Sequence, residues 1–171
     1  MLISPLTQIS APVLQSEISG MASLLTIELP VRKHLYKYYL KEFKQHFTLE
    51  DPLGITLYYM LRTKEGDRYS AEVRAKYPAK LTLDVPEHLL MEKRICPYLT
   101  QQGLTHLDRI LDADFKRSMY RYVGREVAEG IDRQVAIEAF CELYDILEND
   151  ISFEALKKAD YRYRSSLKQA A

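Results

Sequence analysis

The sequence predicts an α+β protein that is mainly helical, with a small antiparallel sheet packed with helices and a helical C-terminal half ending in a helix-turn-helix-like hairpin. Two short segments alternate apolar and polar residues and stop at proline: Leu25-Thr26-Ile27-Glu28-Leu29-Pro30 and Leu81-Thr82-Leu83-Asp84-Val85-Pro86. That is the pattern of strands with one buried face. Elsewhere apolar residues return at three- and four-residue spacing, the mark of helices with one buried side. After residue 86 the helical pattern takes over.

The elements follow in order. Residues 1–20 mix Ser, Pro and Gln with scattered aliphatics and keep neither period; they read as a flexible leader, with Met21 after Gly20 as an alternative start. A strand covers about 24–29. Tyr36, Tyr39, Leu40, Phe43 and Phe47 then fall at helical spacing and predict a helix over 31–47. Asp51-Pro52 suits the start of the next helix, Asp as N-cap and Pro at the first helical position. Leu53, Leu57, Tyr58 and Leu61 carry that helix to about 63, where Glu65-Gly66-Asp67 breaks it. Tyr69, Ala71, Val73, Ala75 and Tyr77 alternate with charges and predict a strand over 69–77, although alanine is a poor strand former. A further strand covers 80–85.

A helix over 86–93 gives way at Cys96-Pro97. A long one follows over 105–128, with Leu107, Ile110, Leu111, Phe115, Met119, Tyr122 and Val123 inward. Gly130 ends it, Asp132 caps a helix over 133–146, and Ser152 caps the last, over 153–168. The expected organisation is a leader (1–20), an α+β core (21–130) and a helical hairpin (131–171). The two strand–proline–helix segments echo one another. Either one local solution is used twice, or the two strands pair in one sheet.

Composition narrows the function classes. Apolar residues at 47% and charged residues at 28% are the balance of a folded chain, and 171 residues bury a core without disulfides or metals. Lys plus Arg equals Asp plus Glu at 24 each, so any contact with nucleic acid has to come from a local patch. Cys96 and Cys141 read as separate buried small hydrophobes, which suits a reducing compartment. The opening MLISPLTQIS lacks the basic and apolar regions of a signal peptide, and no apolar run reaches the roughly 18 residues of a membrane span. The expected location is the cytoplasm.

Little points to catalysis. His34, His46, His88 and His106 are dispersed, the cysteines are not at ligand spacing, and the six glycines form no phosphate loop. No Gly-x-Ser-x-Gly elbow is present. Asp108 and Asp112 share a helix face and could hold a divalent ion, but Arg109 and Lys116 beside them make a self-neutralised solvated face the simpler account. The expectation is therefore no enzyme, no cofactor and no metal. An enzyme whose site assembles from scattered residues is the third-ranked reading.

Binding signals are stronger. In the last helix Lys157, Lys158, Arg162, Arg164 and Lys168 surround an apolar side made by Phe153, Leu156 and Ala159, with Tyr161 and Tyr163 interleaved. Basic side chains neutralise phosphates and fork onto guanine, and tyrosine hydroxyls reach backbone oxygens. Residues 133–168 resemble a helix-turn-helix module, whose second helix enters the major groove. They depart from it at Asp145, where glycine is expected, and in a turn about two residues too long. The plainer account is a helical hairpin with a solvated basic end. Lys33, Lys37, Lys41 and Lys44 form a secondary basic ridge on the helix at 31–47, beside His34 and Tyr38; a solvated face on a core helix explains it equally. Arg117, Arg121 and Arg125 share another face, where acidic partners are as available as phosphates. Lys80 through Leu89 also looks like the strand and helix opening of ribbon-helix-helix repressors, with Lys80, Thr82 and Asp84 outward, although Asp84 would face phosphate.

The order of elements is similar to that of small uncharacterised proteins carried by phages and mobile elements of gut bacteria. The cues are Ile27-Glu28-Leu29-Pro30-Val31 opening a basic helix, and the run from Phe140 through Arg164. The resemblance implies DNA handling or regulation and assigns no residue a role. The leading expectation is a homo-oligomeric protein that binds double-stranded DNA through Lys157, Lys158, Tyr161, Arg162, Arg164 and Lys168. The alternative is an assembly subunit of a phage or mobile element without DNA contact, which the thirteen tyrosines favour because tyrosine is common at interfaces.

Overall fold

The computed structural model describes residues 23–43, 46–61, 75–93 and 99–170. Its strands are β1 (Leu24–Val31), β2 (His46–Phe47) and β3 (Ala79–Pro86). Its helices are α1 (Lys33–Phe43), α2 (Pro52–Leu61), α3 (Glu87–Lys93), α4 (Gln101–Ala128), α5 (Arg133–Leu143) and α6 (Phe153–Ala170). The fold is α+β and mainly helical, as the periodicities predict.

The two echoing segments pair with each other. β1 and β3 run antiparallel from Leu24 opposite Pro86 to Val31 opposite Ala79, so Ile27 meets Leu83 and Leu29 meets Leu81 on the buried face. The Glu87 amide donates to the Ser23 carbonyl, which sets odd-numbered β1 residues toward β3. Pro30, which has no N–H to offer, thereby falls on the outer edge, where a strand tolerates proline.

The third strand corrects the expected all-antiparallel sheet. β2 lies parallel to β3, His46 opposite Thr82 and Phe47 opposite Leu83, giving the mixed order β1-β3-β2. The helix predicted over 31–47 therefore stops at Phe43. Phe47 still reaches the core, by pairing beside Leu83 rather than by helical spacing. The strand expected over 69–77 lies outside the described residues up to 74, and Ala75 and Lys76 are helical. Alanine's strong helix and weak strand preference fits that outcome.

The helix ends show why the elements start and stop where they do. Asp51 accepts the Ile55 amide on its carbonyl, but its carboxylate turns back to the Thr48 amide (2.9 Å) and hydroxyl (3.2 Å) instead of capping α2. Gly54 packs against Thr48, and a Cβ there would sit 1.8 Å from the Thr48 carbonyl oxygen. α4 begins four residues before the predicted start, because the Thr100 hydroxyl accepts the Gly103 amide at 3.1 Å. It ends in a Schellman motif, with Ile131 N–H on the Glu126 carbonyl and Gly130 at φ +91°. Asp132 then caps α5, accepting from the Gln134 and Val135 amides.

α5 stops at Leu143, short of the predicted 146, in a second motif of the same kind. Ile146 N–H bonds to the Cys141 carbonyl, Asp145 N–H bonds to that of Glu142, and Asp145 takes φ +54°. An aspartate thus occupies the left-handed position that glycine usually fills. One apolar core joins the sheet, α1, α2 and the C-terminal helices, running from Ile27 through Phe115 and Phe140 to Leu156. Cys141 is buried in it, and burial, with Glu148 and Glu138 nearby, pushes its thiol up to about 11.

Candidate nucleic-acid interface

Three basic regions were legible in the sequence, and the structure gives them different surroundings. On α1 the ridge turns inward. His34 and Tyr38, which neighbour it in the sequence, are buried at 1% and 3% exposure. Tyr38 donates to the Ser118 hydroxyl at 2.7 Å, and the His34 ring packs edge-on against Phe115. The His34 Nε2 faces Asp112 at 3.8 Å.

Two ridge lysines hold the connector between α5 and α6. Lys37 donates to the carboxylate of Asp150 and to the carbonyl of Asp145. Lys41 donates to the Leu143 carbonyl at the end of α5 and pairs with the Asp145 carboxylate, both at 2.7 Å. Tyr144 donates to Glu42 at 2.5 Å. Lys33 is exposed, and Lys44 lies outside the described residues. Lys37 and Lys41 are thus spent on positioning the hairpin.

The α4 carboxylates are likewise engaged. Arg32 reaches Asp108 at 2.6 Å and Asp112 at 2.9 Å, and Lys116 meets Asp112 at 2.6 Å. Burial opposes ionisation of Asp112, but His34, Lys116 and Arg32 together more than reverse this and hold its carboxyl well below the usual range. Three cationic or ring partners around two carboxylates leave a neutralised cluster rather than a cation site. Among the described residues no group of three or more metal-donor side chains gathers. On the other face of α4, Arg125 pairs with Glu126 at 2.9 Å and lies over the Tyr122 ring, whereas Arg121 donates to the Ser118 hydroxyl. The Arg117 side chain lines a cleft with Asp51, Thr56 and Asp114.

The ribbon-like reading of Lys80 through Leu89 fails on topology. Lys80, Thr82 and Asp84 do point outward, but Glu28 meets Lys80 at 2.6 Å, His46 meets Thr82 at 2.7 Å and Thr26 meets Asp84 at 2.7 Å. β3 is the central strand, with both edges already paired.

α6 differs. Its inner stripe begins with Leu156, wholly buried, and Asp160, 2% exposed. Asp160 accepts from Arg133 of α5 at 3.1 Å and from Arg164 one turn along at 3.1 Å, which ties α6 to the start of α5. Tyr163 stacks on Tyr120 at 4.2 Å, and Tyr120 donates to the Ala159 carbonyl. Beyond that point the helix overhangs the body, with Tyr161 at 64%, Tyr163 at 40% and Leu167 at 52% exposure. Residues 161–171 include no acidic side chain.

The expected contact residues divide accordingly. Lys158, Arg162 and Lys168 are exposed and have no carboxylate partner among the described residues. Helical spacing places Lys158, Tyr161, Arg162, Ser165 and Gln169 on the side opposite Leu156, with Lys168 on their flank. Lys157 is half-buried and pairs with Glu154 at 3.1 Å. Arg164 is shared between Asp160 and the Tyr161 ring. The connector, residues 144–152, is much longer than the roughly three- or four-residue turn of a helix-turn-helix. Sequence reasoning missed Asp160 as the anchor of α6. The signal was available: a lone acidic residue on the apolar stripe of a basic helix, four residues from Leu156.

The fold and site define a mainly helical α+β protein bearing a basic, acid-free helical overhang, and among the described residues no helix is long and apolar enough to cross a membrane. No protein-family model, curated protein or solved structure matches the chain significantly, so the likeness to phage and mobile-element proteins rests on its quoted residues alone.

Proposed function

We propose that this protein binds double-stranded DNA through the outer face of α6, as a homodimer acting in regulation or as an accessory factor of a mobile element. One observation carries the reading: Lys158, Arg162 and Lys168 stand exposed on α6 and pair with no carboxylate among the described residues. Tyr161, Ser165 and Gln169 complete the same face with groups that bond phosphate or base edges. Arg164 and Lys157, already paired within the helix, contribute less. A single short helix gives modest affinity, and two half-sites double the contacts.

Binding to a mixed duplex pool at two salt concentrations tests the proposal. The affinity falls with salt, and Lys158→Ala/Arg162→Ala lowers the log–log salt slope by about 2, one unit per lost phosphate contact. Affinity near 0.1 M salt then falls at least about tenfold. Absence of binding at low salt, or an unchanged slope in the variant, overturns the reading. The exposed Leu143, Leu147, Tyr161 and Leu167 favour the second reading, a protein-assembly subunit, and that is where such a negative result would lead.

A further inference from the structure

We propose that a second copy of this chain docks the overhanging end of α6 into an acidic notch at the other end of the same hairpin, forming a reciprocal homodimer. The proposal rests on the dimeric part of the function above and not on the DNA contact. The notch, about 590 Å³, is lined by Lys37 of α1, Glu138 and Glu142 of α5, Asp145 and Leu147 of the connector and Phe153 of α6, with Ile146 behind. Two of its charges are matched internally, Lys37 by Asp150 and Asp145 by Lys41. Glu138 and Glu142, one turn apart, have no cationic partner among the described residues; Glu138 accepts only the Gln134 amide at 3.0 Å. The notch therefore carries surplus negative charge beside Leu147, which is 57% exposed.

The overhang has the complementary chemistry. Leu156, Asp160, Tyr163 and Leu167 form one helical stripe, and its exposure rises from 0% and 2% to 40% and 52% as the body falls away. Leu167 stands uncovered, with Lys168 on the flank between this stripe and the outer face; in the dimer Lys168 turns to the two glutamates beside Leu147 and leaves Lys158 and Arg162 to the DNA contact. The chain cannot satisfy its own notch. Phe153 lines it, and Leu167 lies on the same helix a rise of about 21 Å further on. A second copy can. Since each copy carries one notch and one overhang, two reciprocal contacts close a two-fold pair and leave neither open. Lys158 and Arg162 lie on the opposite side of α6 and stay accessible.

Sedimentation equilibrium of the full chain without DNA tests this. The wild-type chain is dimeric at about 0.1 mM, a concentration that detects even weak pairs. Leu167→Asp, in the overhang, and Glu138→Lys/Glu142→Lys, in the notch, each weaken the dimer at least tenfold (about 1.4 kcal/mol), with the melting of the dilute, monomeric chain unchanged. An equimolar mixture of the two variants restores heterodimer, because the intact notch of one meets the intact overhang of the other. A monomeric wild-type chain, a dimer indifferent to either variant, open-ended polymers, or a mixture that stays monomeric would each overturn the proposal. DNA binding is scored separately on Lys158→Ala/Arg162→Ala, so the two readings fail independently.

Discussion

α1 and α6 carry the same sequence pattern, basic residues returning every fourth position, and meet opposite fates. On α1, Lys37 and Lys41 face the connector, whose bent backbone offers two aspartates and two carbonyl oxygens. On α6, Lys158 and Arg162 face away from the body. Cations on a packed helix find acceptors in the fold and become fasteners; cations on an overhang keep their charge for a ligand. The pattern alone does not distinguish the two. What does is the partner supplied by a segment about a hundred residues away, as in the contact between Lys41 and Leu143.

The largest expected effect comes from breaking the root of the overhang. Asp160→Ala strips two arginines of a carboxylate that is 3% exposed at the side chain. Loss of such a buried partner costs about 3 kcal/mol, read as a fall in the urea midpoint at constant slope. DNA binding weakens as well, because the helix loses its tie to α5. A loss below about 1 kcal/mol would show that Tyr163 and Leu156 alone hold the root.

The next effect sharpens the contrast from the other side. Lys37→Met leaves Asp150, only 4% exposed at the side chain, without its cation and costs about 2 kcal/mol. Its DNA affinity at low temperature, where the chain stays folded, matches wild type. Lys158→Ala/Arg162→Ala behaves in reverse, with stability unchanged and affinity lost. If both variants lost affinity equally, the α1 ridge would also be a contact surface and the division drawn here would be wrong.

How far the sequence could be read follows from the same distinction. Local physics was legible. Alternation located β1 and β3, and inward spacing named Leu107, Leu111, Phe115, Met119 and Val123 as the buried side of α4. Gly130 and Asp132 marked the turn between α4 and α5. Where two structures bury the same residue, periodicity could not choose, and so Phe47 was expected on a helix but lies on β2. Asp145 is a related case. Aspartate there departs from the glycine of a helix-turn-helix, yet the chain makes the left-handed bend and Lys41 holds a carboxylate that glycine would lack. The root of α6 was hidden for a further reason. Asp160 looks like a misplaced charge until Arg133, from another helix, is set beside it.

The smallest effect is also the most selective, and it comes from acid. Burial opposes ionisation of Asp150, but Lys37 and the Leu147 amide outweigh it and hold the carboxyl below its ordinary value; the Lys41 contact does the same for Asp145. A carboxyl depressed in the folded state stabilises the fold above the unfolded value of about 3.9, and that contribution is lost as pH falls through the lower folded value. The connector should thus stay fastened at pH 5 and loosen only below about 4. The Leu147 amide reports this directly, since it donates to Asp150 at 3.0 Å. Its proton shift should titrate with a midpoint below the ordinary carboxyl value, and Lys37→Met should raise that midpoint. Beyond Glu154 the outer face of α6 carries no carboxylate, so the amides of Arg162 and Ser165 should not move through the same range. A Leu147 midpoint at or above about 3.9 would mean that Lys37 sits beside Asp150 without stabilising its charge, and the fastener would then be the backbone bend alone.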